Sequence, residues 1–147
     1  MRPGNYDDAL LALARGVIGV ATRAADELGQ VSVVQLRALT MLRQLQPASL
    51  VQLAEGIGVT PSTTSRLVDR LVAAGLVDRR TSPESRRQIE LRLSPEGEAT
   101  LDRYDALRLA GMTDAVEQLP ENRRDAVLEA LAEFAAVLGG VPAAAVP

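Results

Sequence analysis

The chain has 147 residues, 47% of them apolar and 24% charged, and a net charge of −3. That length suits one domain or one compact subunit, large enough to bury a core without disulfides or metals. It holds neither cysteine nor histidine, which excludes thiol nucleophiles, disulfide switches, thiolate or imidazole metal sites and histidine acid–base catalysis.

Residues 1–16, MRPGNYDDALLALARG, carry acids where a secretory leader carries bases. No apolar run approaches the ~18 residues that a membrane span needs. A cytoplasmic protein with no membrane partner is expected. From Tyr6 to Leu28, apolar residues recur at helical spacing: Leu10, Leu13, Ala14, Val17, Ala21, Ala24 and Leu28. Gly29 is placed to end that helix. Ser32 with Gln35 forms a capping-box pattern ahead of Leu36, Leu39, Met41 and Leu42, and Gln46-Pro47 closes the second helix. Ser49 with Gln52 repeats the pattern and opens a short helix holding Leu50, Leu53 and Ala54. Gly56 and Gly58 then bracket Ile57 in what reads as a tight turn.

Thr60 caps the next helix, with Pro61 in its first turn and Gly75 beyond Ala74 at its end. On a helical wheel Thr64, Leu67, Val68 and Leu71 share one face, to be packed. Pro61, Ser62, Ser65, Arg66, Asp69 and Arg70 lie on the other. Small hydroxylated residues let a helix backbone approach a groove floor closely. Ser62, Thr63 and Ser65 can then bond base edges or phosphates, and Arg66 and Arg70 can reach guanines or flanking phosphates.

LVDRR and RQIELRL follow as strands joined by TSPES, and in the second strand Ile89, Leu91 and Leu93 alternate with Gln88, Glu90 and Arg92. Arg86 and Arg87 fall at the hairpin tip, suited to a minor groove. Arg79 and Arg80, at its base, are candidates for phosphate contacts or for pairing with Glu84 and Glu90. Ser94-Pro95 opens a helix to about Glu117, and Pro120 breaks it. A last helix from Glu121 to Leu138 places Val127, Leu131, Phe134 and Leu138 on one stripe, ahead of a frayed tail.

The charge distribution follows this layout. Thr60 to Arg92 holds seven arginines and four acids, a net +3 against −6 for the rest. A basic face on an acidic body is the footprint of a nucleic-acid binder. The expected fold is mainly α with a small β-wing (α+β): a winged helix-turn-helix inside a six-helix subunit.

The stretch LVQLAEGIGVTPSTTSRLVDRLVAAGLVDRR, the wing segment SPESRR and the helix opening LRLSPEG together resemble the MarR family of bacterial transcriptional regulators. The resemblance implies a homodimer whose N- and C-terminal helices, residues 1–30 and 118–140, interlock. Residues 31–117 would then form the DNA-binding region with its long following helix, and 141–147 a tail. It also implies that Pro61, Ser62, Thr63, Ser65, Arg66, Arg70, Arg86 and Arg87 contact double-stranded DNA.

The family's wing usually reads Asp-Pro-x-Asp-x-Arg. Here Ser82 and Ser85 replace both aspartates while Pro83 and Arg87 remain. The second aspartate of that pattern helps hold the wing arginine, so the wing is expected to be less tightly braced, with Glu84 as a substitute partner. Family members bind small aromatic or anionic effectors that release DNA. The candidates here are Tyr6, Met41, Tyr104, Leu107 and Arg108, and no cofactor or metal is expected.

The function expected is a sequence-specific regulator, most often a repressor in this family, acting as a homodimer on a pseudo-palindromic operator. A winged helix used for protein interaction or for non-specific, architectural DNA binding is the rival reading. A small enzyme is remote, because no glycine-rich phosphate loop, paired-carboxylate motif or nucleophile–base set is present.

Overall fold

The computed structural model describes residues 4–139. The expected tail, 141–147, lies outside them. Six helices and one hairpin follow in order: α1 (Gly4–Leu28), α2 (Val33–Leu45), α3 (Leu50–Ile57), α4 (Pro61–Ala73), β1 (Val77–Thr81), β2 (Ile89–Leu93), α5 (Pro95–Glu117) and α6 (Glu121–Gly139). The class is mainly α with a small β-wing, as the periodicity predicts.

Local chemistry sets most of these boundaries. Ser32 and Ser49 accept from the backbone N–H of Gln35 and Gln52, whose side chains reach back to the cap N–H, so both capping boxes form. These bonds satisfy donors that a helix start leaves without partners. Gly29, Gly58 and Gly75 have φ of 70°, 73° and 74° and end α1, α3 and α4 in the left-handed region. Gly56 corrects the sequence reading. It belongs to α3 rather than to a turn, and a Cβ there would lie 2.8 Å from Met41 Cγ. Its lack of a side chain lets α3 lie close against α2.

The strands pair antiparallel with Val77 opposite Leu93 and Thr81 opposite Ile89. Ala48 adds a bridge through bonds of 3.1 and 2.7 Å with Leu91. Leu91 and Leu93 are buried, but Ile89 is 52% exposed, contrary to the alternation. It stands at the far end of a two-stranded ribbon, past the Ala48 bridge, beside an open groove that it shares with Ser49 and Gln52. Arg87 and Gln88, read as strand, lie in the turn.

The core is built from Leu36, Leu39, Leu42, Leu53, Val68, Leu71, Leu91, Leu101 and Tyr104, with Ala24 and Ala25 as the buried residues of α1. None of the residues of α6 is buried. The predicted stripes of α1 and α6 do share a space: Leu10, Leu13, Ala14, Val17, Leu131, Phe134 and Leu138 line an apolar cavity of about 690 Å³. Phe134 and Leu138 remain exposed.

A polar seam ties α2 to α5. Arg43 donates to Asp102 at 3.1 Å and to Asp105, which also accepts from Arg108. Burial works to raise the Asp105 pKa, but the hydrogen bonds and charges of Arg108 and Arg43 outweigh it and hold the carboxyl below its ordinary range. No helix among the described residues is long and apolar enough to cross a membrane.

Candidate nucleic-acid interface

Helix α4 is fixed by its buried face. Thr64, Leu67, Val68 and Leu71 are buried, as the wheel predicts. That packing turns Pro61, Ser62, Thr63, Arg66 and Arg70 outward, all of them exposed, with Ser65 half-buried beside them. Thr60 closes the N-terminus. Its hydroxyl accepts from the Thr63 backbone N–H at 3.3 Å and lies 3.2 Å from Ser62 Oγ and 3.0 Å from Thr63 Oγ1. Three hydroxyls therefore cluster where free backbone N–H groups and the helix dipole favour an anion.

The wing loop is held by its serines. Ser82 N–H donates to the Gln88 carbonyl at 2.7 Å and closes the loop. Ser82 Oγ accepts from the Glu84 N–H and Ser85 Oγ from the Arg87 N–H, each at 3.3 Å. These are hydroxyl turns of the kind serine favours in loops. The hydroxyls thus brace the loop backbone, whereas the Arg87 guanidinium meets no carboxylate among the described residues. Glu84 does not take the substitute role, for it makes no ion pair among the described residues.

The arginines divide into two sets. Arg79 pairs with Asp69 at 2.6 Å, Arg80 with Asp78 at 3.5 Å and Arg92 with Glu90 at 3.8 Å. Neither Arg79 nor Arg80 pairs with Glu84 or Glu90, which corrects the sequence expectation. The Arg80–Asp78 pair follows from the strand period of two. The Arg79–Asp69 pair spans helix, turn and strand, so no local pattern signals it. Arg66, Arg70, Arg86 and Arg87 have no ion pair among the described residues and are exposed. Their charge faces solvent on α4 and on the wing.

The five effector candidates are dispersed over different environments. Tyr104 is buried, with Leu107 and Met41 packed against the same core. Arg108 lies with its guanidinium 4.3 Å from the centre of the Tyr104 ring and pairs with Asp105. Tyr6 is exposed near the start of α1. A cavity of about 580 Å³ between α1 and α5 is lined by other residues, among them Val17, Val20, Arg23, Gly111, Met112 and Gln118.

The family model for the MarR family matches residues 31–89, from the start of α2 through the wing. RV1404 from Mycobacterium tuberculosis superimposes with a TM-score of 0.84 at 31% identity, covering 96% of this chain and 97% of that one. The chain belongs to the MarR family. Its winged helix is the fold shared with the solved structures of that family. The HTH-type transcriptional repressor YetL of Bacillus subtilis is 28% identical over 86 residues. That match covers 58% of this chain and 52% of the repressor, so it spans about half the relative's length. S. aureus MepR, in a structure bound to an oligodeoxyribonucleotide, shares the fold with a TM-score of 0.70 at 18% identity over 90% of this chain and 97% of that one.

Proposed function

We propose that this MarR-family protein is a repressor that binds a pseudo-palindromic operator as a homodimer. Helix α4 reads the major groove through Ser62, Thr63, Ser65, Arg66 and Arg70, with Pro61 setting its first turn, and Arg86 and Arg87 of the wing enter the adjacent minor groove. The observation that carries this reading is the division of the arginines. Those at the wing base are neutralised by neighbouring acids, while the four on the outward face of α4 and at the wing tip are not. Unpaired guanidinium groups beside a hydroxyl-rich helix start match the chemistry of phosphates and guanine edges.

A second copy of the chain accounts for the other end. Leu10, Leu11, Val17 and Ile18 of α1 and Leu128, Phe134, Val137 and Leu138 of α6 are exposed. Apolar faces of this extent mark an association surface, so residues 1–30 and 118–140 are the dimerisation helices. The cavity between α1 and α5 is of a size that suits a small effector, with a mostly apolar wall and Arg23, Asp114 and Gln118 as its polar side chains.

Selection from a pool of random duplexes tests the reading. The expected product is an inverted repeat with half-sites about 10 base pairs apart. Affinity for it should fall ~1,000-fold between about 50 and 200 mM salt as counterions are released. Arg87→Ala should weaken that binding by about 10-fold. Recovery of no common sequence, or an affinity that ignores salt, would overturn the reading.

A further inference from the structure

Asp69 is the one carboxylate in α4, and it lies between Arg66 and Arg70 on the exposed face. A free carboxylate there would meet DNA phosphates with like charge as the helix entered a groove. It is not free: Asp69 Oδ1 accepts from Arg79 Nη2 of β1 at 2.6 Å. The other two pairs of this region, Arg80–Asp78 and Arg92–Glu90, join residues two apart on one strand. Among the described residues, Asp69–Arg79 is the ion pair that crosses from the recognition helix to the wing.

We propose that Asp69 and Arg79 are positioning residues for DNA recognition: their bridge fixes the distance between α4 and the wing hairpin and turns the Asp69 charge away from the phosphates. This rests on the DNA-binding reading above. The unpaired contacts belong to two elements, with Arg66 and Arg70 on α4 and Arg86 and Arg87 on the hairpin. Both sets engage one duplex only if the elements hold a set spacing, since a misplacement of even an ångström spoils bidentate geometry. The bridge is partly solvated, Arg79 being 37% and Asp69 60% exposed in their side chains. A pair of that exposure contributes little to folding. Its effect therefore falls on discrimination between sequences rather than on stability.

The experiment measures the ratio of affinities for the duplex recovered by the wild-type protein from a random pool and for a scrambled duplex of the same composition. Asp69→Asn removes a repulsive charge and leaves at most a neutral hydrogen bond to Arg79, so binding to the scrambled duplex holds or rises while the ratio falls up to about fivefold. Arg79→Gln lowers the ratio to a similar extent, and the double variant loses no more than either single, because both act through one contact. Asp69→Glu, which keeps the carboxylate, retains the ratio within about 1.5-fold. Melting temperatures of all four variants stay within about 2 °C of wild type. An unchanged ratio in Asp69→Asn, or losses that add in the double variant, would overturn the bridge while leaving the DNA-binding reading intact. A wild-type protein that recovers no sequence overturns both.

Discussion

A β-carbon placed on Gly97 would lie 2.1 Å from the carbonyl oxygen of Leu76. Gly97 is buried in the first turn of α5, its N–H donating to Ser94 Oγ at 3.0 Å, and Ser94 Oγ donates in turn to the Gly75 carbonyl at 2.5 Å. The end of α4, the start of the wing and the cap of α5 thus converge on one position. The obstacle is backbone, so no side chain can swing aside. Gly97→Ala should lower stability by about 2 kcal/mol through forced displacement, seen as a reduced midpoint in urea unfolding. The sequence displays the glycine after Ser94-Pro95 but not the carbonyl that demands it. Gly56 teaches the same lesson more sharply. Composition reads it as a turn residue, whereas its reason is the Met41 side chain of another helix. Ser82 and Ser85 were legible as the places where family aspartates are absent. What the hydroxyls do instead required the loop geometry, because each bonds a backbone N–H two residues further on.

Helix α4 was legible in nearly every respect because its determinants are local: a Thr60 cap, Pro61 in the first turn, an apolar stripe and a left-handed Gly75. Thr60 also holds the hydroxyl cluster, which gives the cap two duties. Thr60→Ala should cost about 1 kcal/mol in unfolding free energy, read by denaturant titration. The wing was legible as a hairpin from its period of two, but that period reports which side a residue faces and not where the core ends. Leu91 and Leu93 lie over the core, and Ile89, on the same side, projects beyond it. Helix α6 shows the same limit. Its stripe of Val127, Leu131, Phe134 and Leu138 is real, yet Phe134 and Leu138 stay exposed. Periodicity states that a face is apolar and leaves open what covers it.

At the scale of the molecule, buried apolar side chains concentrate between Ala24 and Tyr104, and the outer parts of α1 and α6 hold exposed ones. The fold's class and the order of its elements follow from patterns within each segment. The ion pairs that tie segments together do not, because Arg43 and Asp105, or Asp69 and Arg79, meet only after the helices have packed. Asp105 has a pH consequence of definite sign. Its carboxyl is held below its ordinary 3.8, so its contribution to stability is complete above that value and is lost as pH falls through the depressed one. Asp105→Asn should flatten the acid limb of a stability–pH curve in that window.

The unpaired arginines of α4 and the wing tip carry a consequence of their own. Arginine is a permanently charged residue type in proteins, and this chain has no histidine, cysteine or lysine. No side-chain type it contains ordinarily titrates between about pH 5 and 9. The charge it presents to DNA is therefore constant over that span, and binding measured at fixed salt should be level from about pH 6 to 9. On the DNA-binding reading, acidity in that span leaves the interface charge unchanged, and salt or a movement of the helices that carry it is what alters binding.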